Sequence, residues 1–314
     1  MAGKILVIGS SCVDVILQLD HLPVTEEDMH PRSQSFRVGG CAYNVANILG
    51  KAGADVTFVT PVGLKGIFGP YVLRGFEEQP WVHPVLLPGE ENGCCYCLVE
   101  SSGERTFLSV HGAEYTFSSS WMEEVMDRKY DLVYVSGLEI EERTGMELVT
   151  FLEGLQGTEV FYAPGPRVLR IDPERQRRIL ALHPVLHLNR TEACALAGEE
   201  DPEKAALLLQ GRTGNCVTVT CGRDGAVGVD RTGKMVRVPA VQAKVVDTIG
   251  AGDAHAAILL CGLAGGWDFR KTLETANRIS AQVVSVEGAS LDRETVLRVL
   301  QSAGSTPGET EKTE

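Results

Sequence analysis

The chain has 314 residues, which is enough for about two domains or for one large α/β domain with an appendage. Its composition, 44% hydrophobic and 23% charged residues, excludes the collagen-like, disordered and coiled-coil classes. The formal net charge of −13 makes duplex nucleic acid and anionic membranes poor partners, because both attract basic surfaces.

Short apolar runs typical of buried strands recur along the chain, with helical patterns between most of them. This alternation predicts an α/β fold of three layers, in which helices cover both faces of a mainly parallel sheet. The apolar stretch Ala254–Trp267 is too short to span a membrane and is predicted to be a buried helix. The predicted strands are Ile5–Ile8, Val56–Val59, Leu132–Val135, Val160–Tyr162, Val185–Leu188 and Val217–Thr220.

Residues 13–38 and 94–110 have a different pattern, with short alternating strands and turn signals. We expect them to form one small β-sheet that acts as a lid over the carboxyl edge of the main sheet, where ligands bind in open α/β folds. The remaining residues, 1–12, 39–93 and 111–301, form the predicted core. Residues 302–314 are almost without apolar side chains, which predicts a disordered tail.

Nine cysteines are present, and the single C-x-x-C spacing, Cys94 to Cys97, has no second pair or histidine motif beside it. This favours reduced thiols over a zinc site. The apolar N-terminal run has no signal-peptide cleavage site, so the expected location is cytoplasmic.

The segment richest in chemical information is Val245–Leu260, where a short strand is expected to lead into Gly250-Ala251-Gly252 and then into a helix. Small residues at a helix start let backbone N–H groups and the helix dipole approach an anion such as phosphate. Asp253 in the first turn would either cap the helix or accept a proton from an attacking hydroxyl. No phosphate-binding P-loop and no dinucleotide-binding glycine fingerprint occurs in the sequence.

Residues 247–253, DTIGAGD, resemble the D-T-x-G-A-G-D signature of the ribokinase and phosphofructokinase-B carbohydrate kinase family. Further similarities to this family follow its order from about residue 4 to residue 300. They comprise Gly9–Asp14 (first strand and sugar-binding aspartate), Gly39–Ala46 (glycine-pair signature), Gly103–Arg105 (lid hairpin), Asn189–Glu192 (N-x-x-E magnesium motif) and Thr220–Gly225 (nucleotide-binding strand and turn).

The resemblance implies an ATP-dependent kinase that phosphorylates a hydroxyl group, with Asp253 as general base and Gly250, Ala251 and Gly252 as the anion hole. It implies that Asp14, Gly40, Asn44 and Glu139 bind substrate hydroxyls. It assigns nucleotide contacts to Asn189, Thr220, Gly222, Gly225 and Asn277. Glu192 would act on Mg²⁺ through ordered water, and Asp247 with the Gly288 region would form a site for K⁺.

A small sugar is the expected acceptor, with a nucleoside such as pseudouridine or adenosine as the alternative. A non-catalytic binding protein on the same fold is a further alternative, because fold does not fix function. The resemblance also implies a homodimer that pairs through the lid. Two departures stand out: Ala163–Arg167 replaces a common D-P-N-x-R segment, and His255 replaces a common phenylalanine and is expected to pack inside its helix.

Overall fold

The computed structural model describes residues 3–102 and 104–304, which form two β-sheets and the helices around them. The strands are β1 (Ile5–Ile8), β2 (Cys12–Gln18), β3 (Ser33–Gly39), β4 (Val56–Lys65), β5 (Val82–Glu91), β6 (Cys94–Val99), β7 (Arg105–Val110), β8 (Leu132–Ser136), β9 (Glu159–Ala163), β10 (Val185–Asn189), β11 (Val217–Thr220), β12 (Ala226–Val229) and β13 (Met235–Val238). The helices are α1 (Cys41–Ala52), α2 (Phe68–Phe76), α3 (Gly137–Glu141), α4 (Gly145–Gly154), α5 (Pro173–Leu180), α6 (Arg190–Ala197), α7 (Pro202–Thr213), α8 (Ala251–Gly265), α9 (Phe269–Val283) and α10 (Arg293–Ser302).

The large sheet has nine strands in the order β13-β12-β11-β10-β9-β8-β1-β4-β5. All pairs from β11 to β5 are parallel, and β12 and β13 add an antiparallel edge. The first strand, β1, is the third from one edge of the sheet: β4 and β5 lie on that side of it, and β8 to β11 follow one another on the other side. The strand order therefore reverses beside β1, and the crevice at such a reversal is where ligands bind in open α/β sheets.

Helices cover both faces of this sheet, as the sequence predicts. Alternate residues of β1 enter two separate cores, since successive side chains of a strand point to opposite faces. Ile5 and Val7 pack with residues of α1, α8, α9 and α10, whereas Leu6 and Ile8 pack with residues of α4 to α7. The three-layer α/β fold and all six predicted core strands are confirmed.

The smaller sheet contains four strands in the order β3-β2-β6-β7. Its central pair, β2 and β6, is parallel and joins two segments that are far apart in the chain. Val13 and Val15 face the same core as α1 and α2, while Ile16 and Cys97 contact Ile249, close to the start of α8. The predicted second sheet therefore exists, and one of its faces lies against the Gly250 region.

Two local predictions are wrong. No strand precedes Gly250, because the backbone N–H groups of Val246 and Asp247 donate to the single carbonyl of Val284 instead of to a neighbouring strand. The predicted tail begins too early, because α10 continues to Ser302, whose hydroxyl donates to the carbonyl of Val299. Residues 305–314 of that tail lie outside the described residues. Within the described ranges, no helix has the length and apolarity needed to cross a bilayer.

Candidate active site

The start of α8 has the geometry of an anion-binding cradle. Gly250 precedes the helix with φ 73°, and a Cβ there would lie 2.3 Å from Cβ of Ala289, so both conformation and space demand glycine. Across the described chain, no hydrogen-bond acceptor is found for the backbone N–H groups of Gly252 and Asp253. A Cβ on Gly252 would meet nothing within 4 Å. Open space thus lies beside unpaired donors at a helix N-terminus, an arrangement that suits an anion.

A cavity of about 160 Å³, here called the Asp253 cavity, opens in front of this cradle. It brings together residues from α8, from the junction of β10 and α6, and from the end of β11. These strand ends share one edge of the sheet because β10 and β11 are parallel. The predicted site residues that line the cavity are Asn189, Glu192, Thr220, Gly252 and Asp253.

Asp253 is held by two side chains from the start of α1. The amide of Asn44 donates to Oδ2 of Asp253 at 2.8 Å, and the thiol of Cys41 also donates to this carboxylate. Desolvation by burial raises the pKa of Asp253 to about 6, although these two hydrogen bonds lower it. Sequence reasoning missed Cys41, which directly follows the glycine pair and also lines the cavity.

Asn189 and Glu192 form a capping box at the start of α6. The side-chain carbonyl of Asn189 accepts from the backbone N–H of Glu192, and the Glu192 carboxylate accepts from both N–H groups of Asn189. Burial raises the pKa of Glu192, and the nearby charge of Asp253 adds to this effect. Two carboxylates therefore face one cavity, and oxygen donors of this kind suit Mg²⁺. Because Glu192 already accepts two hydrogen bonds, it fits contact with the ion through water.

A second cavity of about 310 Å³, here called the Asp14 cavity, lies between the small sheet and the core. Burial raises the pKa of Asp14 to about 7, with a further contribution from the neighbouring Cys95. Asn44 also lines this cavity, so its hydrogen bond to Asp253 joins the two spaces. Residues that line it include Asp14, Arg37, Tyr43, Asn44, Asn47 and Gly288.

Two other predicted substrate residues support the backbone after β1. Glu139 is buried, and its carboxylate accepts from the backbone N–H of Ser10 at 2.9 Å and from the hydroxyl of Ser136 at 2.5 Å. Gly40 has φ 103°, and a Cβ there would lie 2.7 Å from the carbonyl oxygen of Ser10. Neither residue lines the two cavities, so their direct contact with substrate stays a prediction.

The residues predicted to contact the nucleotide do not all lie in the Asp253 cavity. Gly222 and Gly225 lie in the turn after β11, with φ of 58° and 91°, outside both cavities. Asn277 is buried in α9, where its amide donates to the carbonyl of Pro239 and its side-chain oxygen binds Nε2 of His255. A nucleotide contact through this side chain would require the exchange of one of these bonds.

His255 belongs to a buried chain of hydrogen bonds that leads back to the Asp253 cavity. Since its Nε2 must donate to the Asn277 oxygen, its Nδ1 is the acceptor for Nε2–H of His187, 3.1 Å away. Burial lowers the pKa of His255 to about 4, so the ring stays neutral at physiological pH. His187 lines the cavity and was not identified from the sequence.

Asp247 and Gly288 lie together, because the backbone N–H of Gly288 donates to Oδ2 of Asp247 at 2.8 Å. The other carboxylate oxygen accepts from the backbone N–H of Ile249 and forms an ion pair with Arg105 at 2.5 Å. Arg105 comes from β7 of the small sheet and its side chain is 12% exposed. The role of Arg105 as the cation beside Asp247 was not anticipated from the sequence.

Comparisons with known proteins agree with this architecture. A family model described as pfkB family carbohydrate kinase matches residues 2–296. The chain is 32% identical over 292 residues to the uncharacterized sugar kinase YegV of Escherichia coli strain K12, with 91% of this chain and 89% of that protein covered.

Solved structures show the same fold. The ribokinase of Arabidopsis thaliana complexed with ribose and ATP has a TM-score of 0.78 at 22% identity and covers 96% of this chain and 99% of its own. A nucleoside kinase of Burkholderia thailandensis in complex with inosine has a TM-score of 0.77 at 21% identity, with 99% of this chain and 100% of that chain covered.

Proposed function

Because the chain belongs to the pfkB family of carbohydrate kinases and is thus a phosphotransferase with a hydroxyl acceptor, we propose that it transfers the γ-phosphoryl group of ATP to a hydroxyl of a small sugar. The observation that carries the proposal is the position of Asp253. This carboxylate stands beside an anion cradle and is joined through Asn44 to a second cavity of a size suited to a small ligand.

Asp253 would accept the proton of the attacking hydroxyl while the N–H groups of Gly252 and Asp253 stabilise charge on the transferred phosphoryl group. A carboxylate with a pKa of about 6 is mostly ionised at pH 7 and is a stronger base than an ordinary aspartate. Asn44 and Cys41 fix its orientation through hydrogen bonds. Mg²⁺ held near Glu192 through water would supply charge neutralisation for the nucleotide phosphates.

The proposed acceptor binds in the Asp14 cavity, where Asp14 and Asn44 offer the convergent acceptors and donors that neighbouring hydroxyls need. One observation favours a nucleoside as the second candidate. The aromatic side chains of Phe36, Tyr43 and Tyr71 line the same cavity and could stack against a nucleobase. The related nucleoside kinase was solved with inosine, and the related ribokinase with ribose.

A panel of free sugars, sugar phosphates and nucleosides, assayed with ATP and Mg²⁺ through ADP release, tests the proposal. We expect the highest kcat/KM with a free sugar. Preference for a nucleoside would select the second candidate, and no turnover with any member would favour a non-catalytic binding protein.

We infer that the residues around Asp247, which the sequence predicts to hold K⁺ together with the Gly288 region, disfavour a bound K⁺. Its carboxylate already accepts two backbone hydrogen bonds and pairs with Arg105, whose charge would repel a second cation. We therefore expect equal rates in potassium, sodium and choline salts at one ionic strength. Arg105→Ala removes the resident cation, and the variant is expected to be faster in potassium than in choline. Activation of the wild-type enzyme by K⁺ would show that the ion pair is displaced and would restore the prediction made from the sequence.

We further propose a homodimer that forms through the small sheet. β7 is an edge strand with unpaired backbone groups, and it exposes Phe107, Leu108 and Val110. Leu108→Glu is expected to convert the dimer to a monomer in light scattering at micromolar concentration, and the monomer should stay folded by circular dichroism because this side chain is 56% exposed. Leu207→Glu, at an exposed position of α7, is the matched control. A monomeric wild-type protein would contradict the proposed dimer.

A further inference from the structure

Three potential metal ligands cluster on the face of the small sheet that is turned toward Ile249. Asp14 of β2 pairs in register with Cys95 of β6, and Cys97 follows two residues later, so all three side chains leave the same face of the sheet. One ligand atom from each residue lies within 4.8 Å of the other two. Cys94, the first residue of β6, points to the opposite face because strand side chains alternate.

The distance between the two sulfur atoms is informative. Sγ of Cys95 and Sγ of Cys97 lie 3.9 Å apart. Two thiolates bound to one tetrahedral Zn²⁺ at about 2.3 Å each would be separated by roughly 3.8 Å. The pair is therefore already spaced for a shared metal ion. By contrast, the two sulfur atoms of a disulfide are separated by only about 2.0 Å.

The surroundings favour a cation over a purely apolar role for these cysteines. Asp253 and Asp247 add negative charge near Asp14, and Asp14 lines the Asp14 cavity, through which a small ion can reach the cluster. Cys97 is 1% exposed and Cys95 is half-buried, so an ion held between them would be shielded from bulk solvent on the side of the two sulfur atoms.

We propose that Asp14, Cys95 and Cys97 form a binding site for a thiophilic divalent cation of the Zn²⁺ class, and that occupancy of this site inhibits the enzyme. Three protein ligands leave the fourth tetrahedral position for water, as in other sites with three ligands. Binding releases the thiol protons to solvent. The bound ion takes the Asp14 carboxylate away from the acceptor substrate, so inhibition is competitive with the acceptor. This inhibitory role depends on the proposed function, whereas the metal site itself does not.

The metal site is tested on the full chain with Cd²⁺, whose thiolate complexes absorb in the ultraviolet, and with Zn²⁺ as its competitor. Wild-type protein is expected to bind one Cd²⁺ with this absorption and to lose it as Zn²⁺ is added. Cys95→Ala and Cys97→Ala are each expected to weaken Zn²⁺ binding by more than about 10-fold, since even loss of an outer-shell partner costs about 10–100-fold. Cys94→Ala, on the same strand but the opposite face, should bind as the wild type does.

Melting curves without metal identify any variant that fails to fold; if the buried Cys97→Ala fails, Cys95→Ala decides the result. Equal Zn²⁺ affinity in wild type and in Cys95→Ala would overturn the site.

The inhibitory role is tested by kinase assays at saturating ATP and Mg²⁺. We expect Zn²⁺ to raise the KM for the acceptor in wild type and in Cys94→Ala. In Cys95→Ala, the same Zn²⁺ concentration should cause an increase in KM that is at least 10 times smaller. Zn²⁺ binding without this effect on KM would overturn the inhibitory role but not the metal site. The binding experiment does not depend on kinase activity, so it tests the metal site even if no acceptor is phosphorylated.

Discussion

Replacement of Asp253 by asparagine is expected to lower kcat by about 10²–10⁴-fold, the usual range for loss of a positioned base. The change preserves the size of the side chain, and the oxygen of the new amide can still accept the hydrogen bond from Asn44. It also removes a charge that burial disfavours, as the raised pKa of Asp253 shows. The melting temperature should therefore be equal to or higher than that of the wild type, and binding of ATP, measured by calorimetry, should be retained.

The pH dependence of the wild-type rate gives an independent view of the same residue. Because the base must be ionised, kcat/KM, which reports the pKa values of the free enzyme, is expected to fall as the pH drops through about 6, the pKa of Asp253, and to level off above it. In Asp253→Asn this acid limb should disappear from the residual rate. A variant that turns over like the wild type, or that keeps the same acid limb, would remove Asp253 from the mechanism.

Gly252→Ala is expected to reduce kcat by about 10²–10³-fold without destabilising the protein. The new methyl group meets no atom within 4 Å and would project into the Asp253 cavity, where the phosphoryl group has to lie. Displacement of that group from its N–H donors corresponds in size to loss of an oxyanion-hole donor. The free energy of unfolding should stay the same or rise by up to about 1 kcal/mol, because alanine restricts the unfolded chain more than glycine does.

Two further variants separate the loss of space from the general effect of exchanging glycine for alanine. Gly211→Ala, inside α7 and also without a close neighbour, should leave the rate unchanged. Gly250→Ala should lower the melting temperature, because φ 73° is unfavourable for alanine and its Cβ would lie 2.3 Å from that of Ala289. Full activity in a stable Gly252→Ala variant would place the transferred phosphate elsewhere.

Local signals in the sequence were sufficient for the main architecture. The apolar runs such as Ile5–Ile8 predicted the core strands because a parallel sheet buried on both faces excludes polar residues. The capping box at Asn189 and Glu192 and the glycines before α8 depend on neighbouring residues in the chain, and the structure forms both as short-range features. Exposed Val245 and Val246 misled the strand prediction, since a short apolar run does not reveal whether a partner strand is available.

Features that depend on contacts between distant segments could not be predicted from the sequence. Arg105 and Asp247 are separated by 142 positions, and their ion pair exists because the start of β7 lies beside the loop before α8, where Arg105 also donates to Thr248 and to the carbonyl of Val246. The link from His187 through His255 to Asn277 likewise joins β10, α8 and α9. In the same way, the approach of Cys95 and Cys97 to Asp14 follows from the parallel register of β2 and β6, which only the folded sheet defines.

The proposed transfer of the γ-phosphoryl group of ATP to a hydroxyl held near Asp253 can be followed with a label. The enzyme is incubated with Mg²⁺, with ATP labelled in its γ-phosphate and with the best acceptor of the panel. Label is expected to appear in a phosphorylated sugar in step with ADP, and Asp253→Asn is expected to slow this transfer by at least about 100-fold. Label that appears only as inorganic phosphate, or transfer that is equally fast in the variant, would contradict this proposal.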